Sequence, residues 1–185
     1  MKRLIPLGLG TALLMATLAA GTRAETLPPG QIDFGDFAPP SSGGEFVEVN
    51  LTSSLISLAA RFVEKADADV AQLLNGLHLV RVNVIGLDEN NRADLEKRIQ
   101  GVRKQLDGKG WERIVTAQKE GQDVSVFLKT QNKDTVQGVV VMVLDGDKQA
   151  VFVNVVGNIK PDQLALLGDK LNIDQLKKAG EATKK

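Results

Sequence analysis

His78 is the only histidine in the chain and therefore the only imidazole available for catalysis or metal binding. It opens an apolar run in which it is in phase with Val80 and Val82, which is more typical of a partly buried, hydrogen-bonded residue than of a general base. The chain has no cysteine, so it has no thiol nucleophile. One histidine without cysteine also cannot supply the ligands of a His/Cys zinc site.

The 23 acidic residues leave a hydrolase that uses carboxylates, with or without His78, open as an alternative. Glycosidases usually present aromatic platforms to sugars, but this chain has one tryptophan, Trp111, and no tyrosine. Trp111 follows a glycine loop and begins a predicted strand, which favours a place at the edge of the core. Asp67 and Asp69 flank a predicted helix start, where capping explains them better than acid–base catalysis.

The sequence Asp145-Gly146-Asp147 has the composition of a calcium loop but not its spacing. Gln149, Ala150 and Val156 stand where an EF-hand needs an acid, a glycine and a glutamate, so we predict a hairpin turn instead. The mature chain has neither a P-loop nor a dinucleotide-binding fingerprint. We therefore predict no catalytic, cofactor-binding or metal-binding residues, and no enzyme activity.

Residues 1–24 have the layout of a secretory signal peptide. Lys2 and Arg3 precede an apolar run, and Thr22-Arg23-Ala24 places small residues at the −3 and −1 positions of a cut after Ala24. We expect a periplasmic or secreted protein. No second apolar stretch is long enough to span a bilayer, and without cysteine no lipid anchor is expected.

The mature chain is close to electrically neutral. The full chain has 23 basic and 23 acidic residues; the signal peptide contains three of the basic ones, which leaves 20 basic, 23 acidic and a net charge of −3. This balance argues against nucleic-acid binding and against electrostatic docking on anionic lipid. An envelope protein remains the expected partner. The terminal pairs Lys177-Lys178 and Lys184-Lys185 are best explained as a solvated end, and contact with an acidic partner is the alternative.

The chain divides into a signal peptide, a linker at 25–44, one domain at 45–177 and a frayed basic tail at 178–185. The linker is rich in proline, glycine and serine, yet it contains Ile32, Phe34 and Phe37. These three residues either fold back on the domain's own core or dock on a partner; the first reading is favoured.

Hydrophobic periodicity predicts an α+β domain. A strand at 46–51 precedes a helix whose buried face is Leu55, Leu58, Ala59 and Phe62, and a second helix follows at 67–75. A strand at 77–85, a helix at 91–106, four strands between 111 and 156 and a helix after Pro161 complete the order. We predict a two-layer sandwich whose mainly antiparallel sheet includes a four-strand C-terminal meander, with helices on one face. The opposite face, through Arg81 and Asn83, is then a candidate binding surface.

Three segments resemble DUF4252, a family of uncharacterised exported bacterial envelope proteins. They are Phe46–Leu51 with Ser54–Ala59, Leu74–Leu77 with Val80–Val82, and Val151–Ile159 with the leucine-rich helix that follows, and the resemblance covers roughly residues 45–172. Some members are lipoproteins, whereas this chain lacks the cysteine that lipidation needs. The resemblance implies export and brings no established activity or catalytic residues.

These observations predict a non-catalytic binding module of the bacterial cell envelope. The alternatives are the carboxylate hydrolase and a chaperone-like protein that shields exported chains. The chaperone-like alternative requires an exposed apolar patch on the folded domain.

Overall fold

A computed structural model of the protein describes residues 27–119 and 121–170. The predicted signal peptide with its cut after Ala24, and the basic tail at 178–185, lie outside these residues. None of the described helices is both long and apolar enough to cross a membrane.

The described residues form an α+β fold with one antiparallel sheet of six strands. Along the chain the elements are β1 (Phe46–Thr52), α1 (Ser53–Val63), α2 (Ala68–Gly76), β2 (Leu77–Gly86), α3 (Arg92–Asp107), β3 (Glu112–Lys119), β4 (Gln122–Asn132), β5 (Thr135–Asp145), β6 (Gln149–Ile159) and α4 (Gln163–Lys170). The strand order is β1-β2-β6-β5-β4-β3, and every neighbouring pair is antiparallel. The four predicted C-terminal strands are thus part of a larger sheet that β1 and β2 extend.

Short turns join the last four strands, and in two of the three turns glycine allows the backbone to reverse. Gly121 between β3 and β4 and Gly146 between β5 and β6 have φ values of 72° and 55°, a region that side chains other than glycine rarely adopt. The predicted hairpin at Asp145-Gly146-Asp147 is therefore confirmed.

Helices cover both faces of the sheet, so the molecule has three layers. One core contains side chains of α1, α2 and α4, and a second contains side chains of α3. Val139 and Val141 of β5 point to the first core, whereas Val140 and Met142 point to the second. The prediction of two layers with helices on one face is wrong here, because strands that are apolar on both sides need two covers.

The starts and faces of α2 and α3 follow the sequence. The Asp67 carboxylate accepts a hydrogen bond of 3.0 Å from the backbone N–H of Val70, which caps α2 as predicted. On α3, the predicted apolar positions are all buried: Leu95, Ile99, Val102 and Leu106.

Helix α1 packs with the opposite face from the one predicted. Ile56 and Ala60 are buried on the side of α1 that packs on α2, β1 and β2, whereas Leu55, Leu58 and Phe62 are 52%, 51% and 78% exposed. The helix has apolar residues on two sides, and periodicity alone does not tell which side meets the sheet.

The segment at 27–44, which we call the N-terminal arm, packs on the same face of the sheet as α3. Ile32 and Phe34 are buried in the second core, and Phe37 packs against it. Phe34 and Phe37 contact the ring of Phe152 with centroid distances of 5.5 and 4.9 Å. The arm thus folds back on the core, although its composition is that of a linker.

Candidate functional site: an exposed apolar ridge and two clefts

Five exposed apolar side chains belong to the edge strand of the sheet and to the helix that follows it. Val47 and Leu51 belong to β1, the edge strand, and Leu55, Leu58 and Phe62 belong to α1, which begins directly after it. Val47 and Leu51 lie opposite Val84 and Val80 of β2, on the face that α1 covers. We call these five residues the α1–β1 ridge.

The spacing of the ridge is that of a surface that packs against another protein element. From Leu51 the residues follow at intervals of four, three and four, which places Leu55, Leu58 and Phe62 along one line of the helix. None of the five carries a charge, and a contiguous exposed apolar patch is typical of an interaction site. The sequence analysis found these α1 residues but assigned them to the core.

Strand β1 leaves one side of its backbone unpaired. Among the described strands its only neighbour is β2, and the register with β2 runs without a bulge from Phe46 to Thr52. The strand contains no proline and a single charged residue, Glu48. Charges, prolines and bulges are the usual devices that protect edge strands from pairing, and this edge has few of them.

His78 is exposed and lines a cleft of about 490 Å³. The prediction that it lies in phase with Val80 is wrong, because a register shift between Leu77 and Leu79 breaks the alternation of β2 at this residue. The cleft is lined by residues of the arm, β1, α1, β2, β5 and β6, among them Gln31, Ser53, Gln137 and Asn158.

A second cleft, of about 430 Å³, lies between α3 and the hairpin that joins β3 and β4. Asp123 lies at its side and forms an ion pair with Arg103 through contacts of 2.8 and 2.5 Å. Arg103 also donates to the buried hydroxyl of Ser125. Partial burial opposes ionisation of Asp123, but the hydrogen bonds and charge of Arg103 prevail and lower the pKa of the carboxyl.

The loop between β2 and α3 is built around Asp88. Its carboxylate accepts hydrogen bonds from the backbone N–H groups of Asn90, Asn91 and Ser42. Burial raises the pKa of this carboxyl, but these hydrogen bonds outweigh it and lower the pKa below its usual value. The carboxylate therefore fixes the loop and the end of the arm, which is a structural role.

Arg81 and Asn83 do not lie on an open face. Both point to the side of the sheet that α3 and the arm cover, and Asn83 is only 1% exposed. Its side-chain amide has no hydrogen-bond partner in the described part of the chain. The binding surface proposed from these two residues is therefore wrong, because the sheet has no uncovered face there.

Trp111 is buried in the second core, beside the arm, as its position at the core edge predicts. The Asp145-Gly146-Asp147 turn is tied to α3, since Arg92 donates to the carbonyl oxygen of Gly146 and to the carboxylate of Asp147. In residues 27–119 and 121–170, no group of three His, Cys, Asp or Glu side chains is placed to hold a metal ion.

Two contacts of the arm were missed by sequence reasoning. Asn154 of β6 accepts a hydrogen bond from the N–H of Ile32 and donates to the carbonyl of Gly30. The guanidinium of Arg98 on α3 donates to the carbonyls of Phe34 and Asp36 and lies 4.6 Å from the centre of the Phe37 ring. A buried asparagine in an apolar strand was the available signal, because such an amide needs partners.

Comparison with known proteins gives one match, to a family model. That model describes a domain of unknown function, DUF4252, and it matches residues 42–167. No curated protein and no solved structure matches the chain significantly. The matched range contains every described strand and helix except the last residues of α4, and it leaves out most of the arm. Because it covers more than half of the 185 residues, the chain belongs to the DUF4252 family.

Proposed function

We propose that this protein is a non-catalytic binding module of the bacterial cell envelope that works in the periplasm after export. The α1–β1 ridge is its binding surface. Residues 1–24 support export through their signal-peptide layout, and the near-neutral mature chain supports a protein partner over nucleic acid.

The exposure of Phe62 is the observation that carries this proposal. Phe62 is a large aromatic side chain that is 78% exposed on the same helix as exposed Leu55 and Leu58, so it buries little surface within the described domain. Aromatic and apolar residues concentrated in one patch are typical of the buried centre of protein interfaces. The adjacent open edge of β1 adds backbone donors and acceptors that a partner strand can use.

Photo-cross-linking in living cells tests the proposal. A photoreactive amino acid at Phe62 should give one dominant, saturable cross-linked product in the envelope, which mass spectrometry identifies. The matched control has the same amino acid at Lys104, an exposed residue of α3 on the other side of the sheet. Equal, diffuse labelling from both positions would reject the α1–β1 ridge as a binding surface.

A chaperone-like role is the second candidate, and the same exposed ridge favours it. A protein that shields exported chains should suppress aggregation of several unrelated unfolded proteins, and Phe62→Ser should abolish this effect. A specific binding module should not act on unrelated unfolded chains. The number of proteins that cross-link at Phe62, one or many, separates the two roles.

A further inference from the structure

We propose that the α1–β1 ridge binds a second copy of this chain, with the two β1 strands antiparallel and related by a two-fold axis at Val49. The inference rests on the proposed function, because it names the partner of the same surface. Two six-stranded sheets would then join into one continuous sheet with the two α1 helices side by side.

The backbone groups needed for this pairing point outward from β1. The N–H of Gly86 donates to the carbonyl of Glu45, 2.7 Å away, and the register places these two residues opposite each other. In an antiparallel ladder, residues that bond to the neighbour alternate with residues that do not. Residues 47, 49 and 51 therefore bond to β2, and residues 46, 48, 50 and 52 offer their N–H and C=O groups to the open edge.

The charge pattern of the edge selects one register. Residues whose backbone groups face the open edge must pair with residues of the same kind in the second copy. If most of β1 is to be paired, Glu48 then lies opposite either Glu48 or Asn50 of that copy. Two glutamates directly opposite repel each other. Pairing Glu48 with Asn50 avoids that repulsion, uses all seven residues of β1 and centres the axis on Val49.

This register also pairs the apolar side chains. Val49 lies opposite Val49 of the second copy, and Val47 lies opposite Leu51, on the face where α1 sits. These are pairs without backbone hydrogen bonds between them, in which opposing side chains come closest.

The position of α1 fits a helix pair across the same axis. The helix packs on α2 and on β1 and β2. Neighbouring strands are about 4.8 Å apart. A helix axis that lies midway over β1 and β2 is therefore about 5 Å from the two-fold symmetry axis. The two α1 helices are then about 10 Å apart, within the spacing of packed helices. Leu55, Leu58 and Phe62 lie on the helix at the spacing of a helix–helix seam.

Single-cysteine variants give a sharp test, because the natural chain contains no cysteine. In the proposed register the Cα atoms of Val49 from the two copies are about 4.5 Å apart, a separation that a disulfide spans. The chain from Glu25 carrying Val49→Cys should form a disulfide-linked dimer under mild oxidation. Glu48→Cys is the matched control. In this register the Cα atoms of the two copies of residue 48 are diagonal neighbours roughly 7–8 Å apart, which is too far for a disulfide to form readily.

Sedimentation velocity of the chain from Glu25 should show a dimer that dissociates on dilution. Asn50→Pro removes an N–H that faces the open edge and leaves the β2 ladder intact, so it should keep the fold and weaken the dimer by about tenfold or more. Circular dichroism confirms the fold of this variant.

A monomer at all concentrations, or faster cross-linking of Glu48→Cys than of Val49→Cys, would overturn the inference. A monomer that still cross-links to a different protein from Phe62 in cells would leave the proposed function standing without the dimer. A dimer with no other cross-linked protein would assign the α1–β1 ridge to self-association alone.

Discussion

Asn154 is the residue that ties the N-terminal arm to the sheet. Its amide is fully buried and bonds to Ile32, Gly30 and the carbonyl of Val139 at 3.0–3.1 Å. Asn154→Leu leaves the Ile32 N–H and the Gly30 carbonyl without partners, so we expect a loss of about 2–4 kcal/mol in the free energy of unfolding. Urea denaturation measures it, with exposed Asn158→Ala as the control in the same strand. Equal losses in both variants would contradict this role.

The ion pair of Arg103 and Asp123 predicts a pH-dependent contribution to stability. The folded-state pKa of Asp123 is lowered, so its contribution is fully present above the unfolded pKa of about 4 and is lost as the pH falls through the folded value. Asp123→Asn should therefore be less stable than the natural chain at pH 7, and the difference should shrink below about pH 4. Urea unfolding from pH 2 to 7 measures it, and a constant difference would refute it.

Helix α1 contains two apolar sides with opposite expected responses to substitution. Ile56→Ala should cost about 2–4 kcal/mol of unfolding free energy, because the residue is buried against the sheet. Phe62→Ser should change stability by less than about 0.5 kcal/mol, because the ring is exposed. Thermal unfolding of the two variants compares them. The reverse order would mean that the predicted face, and not Ile56 with Ala60, packs on the sheet.

An element is predictable from the sequence when residues close together in the chain determine both its type and its buried side. Helix α3 has one apolar side, and Asp67 caps α2 through a bond only three residues away, so local spacing specifies both. The side of α1 that faces inward depends on a choice between two apolar sides of the helix. The position of His78 depends on a break in the register between β2 and β6. Local spacing contains neither piece of information.

At the scale of the whole molecule, the arm joins α3 in covering one face of the sheet and completes the second core. The bond between Ile32 and Asn154 joins residues 122 positions apart, which explains why composition predicts a linker where the fold has a core element. The exposed ridge was missed for a related reason, because an apolar residue in a sequence is expected to be inside. The α+β class and the antiparallel sheet were predictable, since hairpins and alternation are short-range features.

Deletion of the arm tests its place in the core. A chain that begins at Ser41 lacks Ile32 and Phe34, whose burial contributes about 3–6 kcal/mol together. We expect it to unfold at a lower urea concentration and to bind a hydrophobic dye over the exposed Phe152 face. The control begins at Leu27 and keeps the whole described arm. Equal stability of the two chains would show that the arm contributes nothing to the fold.

Under the proposed export, the attachment of the arm at Gly30 limits how far the folded domain can lie from the leader. Gly30 lies against the backbone of Gln137, and only five residues separate it from the predicted cut after Ala24. Five extended residues reach at most about 18 Å. A precursor whose leader still sits in the bilayer would thus hold its sheet against the lipid surface or keep its arm undocked. Under the proposed export, removal of residues 1–24 would be the step that lets the arm dock and the domain leave the membrane surface.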